Sequence, residues 1–305
     1  MRQLFLGLAC TLCVGTLTPA PAARWASLAW RPPTCCRLPQ PAQDTLYPVP
    51  PTSRLRVVVA GVAYELEARI WRPVGPGPFP LAVIQHGTPA DKSKLPTTKP
   101  GFTRAARWFV HQGFVVVIAL RPGFGRSEGH YLEEAGPCAN ADYVVAGQKT
   151  ALLEEAIIRA CQTLPGVEPT HVVVIGQSAG GLGAVALGAT PPPGVCGIIS
   201  FAGGRGGNGK EHICGGEQRL VAAAWQFGQA NRLPQLWLYA ANDHFFNLAL
   251  ARRLAQAFSQ ASTPPLDFIE LPPFGDDGHQ TLSQAQPSVW SRPVEQFLLK
   301  IMPPR

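Results

Sequence analysis

The stretch His171–Gly183, HVVVIGQSAGGLG, constrains this chain more than any other. Val172, Val173, Val174 and Ile175 form an unbroken β-branched run, which suits a strand covered on both faces, as in a parallel sheet. Gly176-Gln177-Ser178-Ala179-Gly180 then fits G-x-S-x-G, and the small residues Gly181, Gly183, Ala184 and Ala186 predict a closely packed helix. A serine carried on so sharp a strand-to-helix turn crowds its neighbours. The positions two before and two after it must therefore be glycine or nearly so. In a Gly- and Ser-rich loop the same string means little, but between a buried strand and a helix it lifts a hydroxyl clear of the sheet. Ser178 is thus the candidate nucleophile, and the Ala179 N–H at the helix start is a candidate oxyanion donor.

A chain of 305 residues, 46% hydrophobic and 15% charged, has enough apolar material for one large α/β core. The N-terminus reads as an export signal over residues 1–22: Met1-Arg2-Gln3, an apolar Leu4–Leu17, and Ala20-Pro21-Ala22 as an A-x-A cleavage site. A buried N-terminal helix is the alternative. The apolar run is too short to anchor the chain stably in a bilayer. Residues 23–53 are a Pro-rich leader containing Cys35-Cys36, and residues 54–305 form the domain. Beyond Cys10 and Cys13 six cysteines remain, an even number that suits disulfides in an exported chain. Cys138 and Cys214 both fall in loops that follow strands on the same sheet edge, so this pair is favoured over Cys196–Cys214. No C-x-x-C or H-x-x-x-H spacing suggests a metal. The net charge of +7 is scattered rather than clustered, which argues against nucleic acid as a partner.

In chain order, Leu55–Ala60 and Val62–Trp71 read as a strand pair joined at Gly61, the second alternating apolar and polar residues. Strand–helix alternation follows. Leu81–Gln85 is a strand ending at His86-Gly87-Thr88, residues 102–110 show helical spacing with Gly113 as cap, and Phe114–Leu120 is a buried strand. RPGFGRSEG (Arg121–Gly129) is a loop and not a dinucleotide fingerprint, because no helix opens there. Asp142–Cys161 is a helix, Val195–Phe201 a strand, Gly203–Gly209 a loop, and Glu217–Gln229 a helix. Leu236–Tyr239 leads to Asp243, then come a helix over Leu248–Phe258, a strand over Leu266–Leu271 and a final helix over Pro293–Met302. The expected fold is α/β: a mostly parallel sheet with an antiparallel N-terminal strand pair, helices on both faces and no large cap domain.

His86-Gly after the third strand, RPGFGRSEG after the fourth, GQSAGG at the fifth, Asp243 after the seventh and Gly278-His279 after the eighth together resemble an α/β-hydrolase. The likeness spans residues 55–302 and is greatest to the serine-containing dienelactone-hydrolase-like or carboxylesterase-like branch. It implies the chain order nucleophile, acid, histidine, here Ser178, Asp243, His279. The residues agree with that order. His279 lies in a loop past the last strand, whereas His111 sits in a helix pattern, His171 starts a strand, His130 and His212 are in loops away from strand ends, and His244 adjoins the proposed acid. Asp243 stands at the carboxyl edge of the sheet; Asp276 and Asp277 are too close to His279, and Asp267 is within a strand. Thr88 N–H is the second oxyanion donor, with His86 bracing its turn. Dienelactone hydrolases proper carry a cysteine nucleophile, so serine at position 178 points to esters more generally. The expected activity is hydrolysis of a small-molecule carboxylic ester through an acyl-enzyme, with no cofactor. An acyltransferase or peptidase would use the same triad, and a non-catalytic binding protein would keep only the scaffold. Arg205, the one charge in FAGGRGGNG, is a candidate anchor for an anionic substrate group, with Trp225, Phe227, Phe245 and Phe246 as candidate apolar walls or core.

Overall fold

A computed structural model describes residues 47–302. The expected signal segment, most of the leader, and Cys10, Cys13, Cys35 and Cys36 lie outside the described residues. Eight strands form one sheet: β1 Ser53–Val59, β2 Val62–Trp71, β3 Phe79–Gln85, β4 Val115–Ala119, β5 Val167–Gln177, β6 Val195–Phe201, β7 Gln235–Ala240 and β8 Leu266–Leu271. Their order is β1-β2-β4-β3-β5-β6-β7-β8. β1 and β2 are antiparallel and joined by a two-residue turn, Ala60 (φ 48°) and Gly61 (φ 82°), whose positive φ values match the twist of a tight hairpin. β2 is also antiparallel to β4, and from β3 to β8 every pairing is parallel.

The inner strands explain why the sequence reads as continuous apolar runs there. Successive residues face opposite layers, and both layers are covered. Leu81, Val83, Val115, Val117, Val172 and Val174 enter one core, against the helices α2 (Tyr143–Gln162), α3 (Ala179–Leu187), α4 (Glu217–Ala230) and α5 (Leu248–Ala261). Ala82, Ile84, Val116, Ile118, Val173 and Ile175 enter the other, against α1 (Thr103–His111) and α7 (Ser291–Ile301). Trp290 fills the centre of that second layer, fully buried and ringed by Trp108, Phe109 and Phe201. A single Leu or Ile truncated to Ala in either layer costs about 2–5 kcal/mol.

From β3 the chain crosses to β4 on one side and later resumes at β5 on the other. The carboxyl ends of β3 and β5 therefore flank the point where strand order reverses, the crevice where open α/β sheets hold ligands. The sequence reading missed only short pieces: 3-10 turns at Lys92–Thr97, Cys138–Asn140, Gly278–Gln280 and Pro287–Val289, and one turn of helix, α6, at Thr281–Gln284. None has enough residues to show a period. β5 begins at Val167, earlier than its apolar run, because Phe79 recruits that end of the strand across a register shift. Cys138 and Cys214 form a disulfide, with Cα atoms 4.9 Å apart, while Cys161 and Cys196 are free. Among the described residues no helix is long and apolar enough to cross a membrane, and no His/Cys/Asp/Glu group is arranged to hold a metal.

Candidate active site

Ser178 sits between β5 and α3 with φ 56° and ψ −122°, a backbone conformation rare for a non-glycine residue. The flanking glycines make that turn possible. A Cβ on Gly176 would lie 2.4 Å from Gly180 O, and one on Gly180 would lie 2.5 Å from His86 O. The elbow is fastened on both sides: Ser178 N–H donates to Phe201 O at 3.0 Å, and Ser178 O accepts from Gly204 N–H at 3.0 Å. Gly87 rests against the serine, since a Cβ there would come within 3.0 Å of Ser178 Cβ. Thr88 follows Gly87, and Ala179 opens α3. Among the described residues neither amide N–H donates to a backbone carbonyl.

Asp243 follows β7 and is 1% exposed. Its Oδ1 accepts from the N–H groups of Phe245 (2.8 Å) and Phe246 (2.9 Å), which fixes the carboxylate plane. His279 Nδ1 lies 3.1 Å from Asp243 Oδ2 and 3.2 Å from Oδ1. An ionised carboxylate only accepts, so this contact places the ring proton on Nδ1 and leaves Nε2 as a base. The Phe245 ring stacks on the imidazole at 4.2 Å between centroids. Three ties hold the loop that carries the histidine. Gln177 Nε2 donates to His279 O (2.6 Å), Gly278 N–H donates to Asn242 O (3.0 Å), and Asp277 Oδ1 accepts from His279 N–H (3.0 Å). The first of these joins the residue before Ser178 directly to the histidine. Ser178 Oγ itself makes no hydrogen bond among the described residues, and the residue is 9% exposed.

His86 is a brace. Its Nε2 accepts from Arg121 N–H at 3.0 Å, so Nδ1 carries the proton and donates to Gly87 O at 2.8 Å. Burial first, and then the Arg121 charge, bring its pKa down to about 3, which keeps it neutral.

Arg205, expected as an anchor for a substrate anion, is turned inward instead. It is 8% exposed; Nη2 donates to Glu133 Oε2 (2.7 Å) and Thr150 Oγ1 (2.9 Å), and Nη1 to Tyr131 Oη (2.6 Å) and Glu133 O (3.0 Å). Arg121, also fully buried, holds the same carboxylate through Nε at 2.5 Å. Burial alone would raise the Glu133 carboxyl, but Arg121 and Arg205 outweigh it and bring it down to about 2. With Arg205 enclosed, the charge-assisted bonds to Glu133 and the contacts to Tyr131 and Thr150 offset the desolvation of its guanidinium. Nothing in YLEEAG separates Glu133 from Glu134, whose side chain stays half-exposed beside Lys92. Of the four aromatic residues considered as walls, Phe245 and Phe246 flank His279, Phe227 is core, and Trp225 is exposed.

Comparisons with known proteins agree with this architecture. No curated protein matches the chain by sequence. Among solved structures, an esterase of Pyrococcus furiosus superposes with a TM-score of 0.58 at 12% identity, covering 89% of this chain and 97% of that one. Est1E from Butyrivibrio proteoclasticus, solved with ferulic acid bound, gives 0.55 at 15% identity, with 81% and 99% covered. Dipeptidyl peptidase 4 of Porphyromonas gingivalis gives 0.59 at 16% identity, covering 84% of this chain but only 36% of the larger protein. At such identities the likeness establishes the α/β-hydrolase fold. A family model described as X-Pro dipeptidyl-peptidase (S15 family) matches residues 61–263, a span that includes Ser178 and Asp243 and stops before His279. By that match the chain is a hydrolase belonging to the S15 peptidase family.

Proposed function

We propose that this protein is an exported serine hydrolase that cleaves a small carboxylic ester through an acyl-enzyme. The observation that carries this reading is the His279–Asp243 contact, tied through Gln177 to the positive-φ elbow that carries Ser178. Ser178 Oγ attacks the ester carbonyl as His279 Nε2 takes its proton. The proton then passes to the departing alkoxide, and the cycle repeats with water on the acyl-enzyme. Asp243 holds the imidazole tautomer and stabilises the imidazolium. The N–H groups of Thr88 and Ala179 receive the oxyanion, each worth about 2.7–4 kcal/mol of barrier. Proton transfer needs Oγ and Nε2 within about 3.2 Å in the substrate complex. The Cys138–Cys214 disulfide supports export, because oxidising compartments are where such bonds persist.

The family match favours a second reading, an aminopeptidase that removes dipeptides. Such an enzyme must recognise a free ammonium group near its nucleophile, and a carboxylate is the side chain suited to that. Near the elbow, Asp243 is taken by His279 and two backbone N–H groups, Asp277 caps the histidine loop, Glu133 is enclosed by two arginines, and Glu154 is fully buried against Gly183, closed off from any ligand. That distribution favours esters. The test is kinetic: short-chain p-nitrophenyl esters against a dipeptidyl p-nitroanilide with proline second. Esterase turnover at least a hundredfold above the anilide is expected, and the reverse preference would establish the peptidase. Ser178→Ala is expected to lower ester turnover by roughly a million-fold. A fluorophosphonate label mapping to a residue other than Ser178 would overturn the assignment.

A further inference from the structure

We infer that Glu133 is a positioning residue for the Ser178 centre, its buried carboxylate joining the loop after β4 to the loop after β6 so that the oxyanion turn and the nucleophile elbow stay in register. The inference rests on the reading of Ser178 as the nucleophile.

Glu133 is fully buried and touches no substrate-accessible space, so it acts through its partners. On one arm, Oε1 accepts from Arg121 Nε at 2.5 Å and Oε2 from Arg121 Nη2 at 3.3 Å. The Arg121 backbone N–H donates to His86 Nε2 at 3.0 Å, and His86 Nδ1–H donates to Gly87 O at 2.8 Å, next to Thr88. On the other arm, Oε2 accepts from Arg205 Nη2 at 2.7 Å, while the Glu133 carbonyl accepts from Arg205 Nη1 at 3.0 Å. Arg205 adjoins Gly204, whose N–H donates to Ser178 O at 3.0 Å. Thr150 Oγ1, on α2, donates to Oε2 at 3.0 Å and fastens the junction to a rigid helix. The Cys138–Cys214 bond already ties these two loops at their outer ends; Glu133 adds a second, buried tie close to the elbow, one arm reaching Ser178 through His86 and Gly87 and the other through Gly204.

A stability role alone does not account for this arrangement. Buried ion pairs contribute little net stability compared with well-packed apolar side chains, because desolvation cancels much of their attraction. What a bidentate, fully satisfied carboxylate does supply is fixed geometry. An oxyanion donor displaced by about 1 Å can lose on the order of a hundredfold in rate.

The experiment measures kcat and KM on a short-chain ester for Glu133→Gln. Concentrations are set by end-point fluorophosphonate titration, so that unfolded protein is not counted. The expected result is a fall in kcat per titrated site of roughly 10–100-fold with KM within about twofold of the parent. Arg205→Met cuts only the β6 arm and leaves Glu133 paired with Arg121; it is expected to lose about tenfold in kcat, with Arg205→Lys recovering most of it. Should Glu133→Gln fail to accumulate, the Arg205 pair of variants decides. A kcat per titrated site within twofold of the parent in these variants, with only the melting temperature lowered, would overturn the inference. Activity surviving in Ser178→Ala would instead refute the reading of the centre itself, so the two failures are distinguishable.

Discussion

Replacing Asp243 by asparagine isolates the role of one carboxylate without disturbing the fold. Asp243 Oδ1 already accepts from the N–H groups of Phe245 at 2.8 Å and Phe246 at 2.9 Å. In Asp243→Asn the new side-chain oxygen inherits those two bonds, since an amide nitrogen facing them would set donor against donor. The new –NH2 must then occupy the Oδ2 position, 3.1 Å from His279 Nδ1. A donor there forces Nδ1 to become an acceptor and moves the ring proton to Nε2, the atom that accepts the Ser178 proton in the proposed mechanism. The packing is unchanged, yet the base is in the wrong tautomer. In other serine hydrolases this change costs roughly ten-thousand-fold in kcat, or about 5.4 kcal/mol at about 1.36 kcal/mol per decade. The same figure is expected here, with KM almost unaltered and the melting temperature within about 2 °C of the parent. The assay is steady-state hydrolysis of a p-nitrophenyl ester paired with thermal melting. Retention of more than a tenth of parental kcat would refute the reasoning, because it would mean that the His279 tautomer does not depend on Asp243.

Two further predictions concern stability. Glu154 lies fully buried on α2 with both carboxylate oxygens unpartnered, and burial raises its pKa well above the ordinary value of 4.5. The neutral acid suits the fold, so its contribution is fully present below the unfolded pKa and is lost as pH rises toward the folded one. Glu154→Gln should therefore gain stability over the parent by about 1.4 kcal/mol for each pH unit above 4.5 until Glu154 ionises in the fold. Urea denaturation at pH 5, 6 and 7 measures this, and a difference independent of pH would contradict it. The Cys138–Cys214 bond closes a loop with a sequence separation of 76, so reduction, or Cys138→Ser with Cys214→Ser, should cost roughly 2–4 kcal/mol. An unchanged melting temperature on reduction, with free thiols confirmed by titration, would show that the bond does not restrain the fold.

The parts of this protein that were legible in its sequence are those set by neighbours along the chain. Whether a serine can occupy a left-handed elbow depends on residues two positions away, and Gly176 and Gly180 declare it. Burial on both faces of β3, β4, β5 and β6 is written in their unbroken apolar runs, while the assignment of Ser178, Asp243 and His279 came from the α/β-hydrolase resemblance and remains a proposal. The Cys138–Cys214 pairing was legible for a related reason, since both loops leave strands on one edge. Tertiary structure alone decided which charges would meet away from water. Glu133 and Glu134 are adjacent and chemically alike, yet one is enclosed by Arg121 and Arg205 while the other stays half-exposed against Lys92. Arg205 read as a cation free for substrate because its loop is glycine-rich; its actual partner lies 72 residues away. Such contacts depend on desolvation, on which groups lose water together when α2 and the loops after β4 and β6 close over one another. That balance belongs to the assembled packing and leaves no periodic trace in the chain.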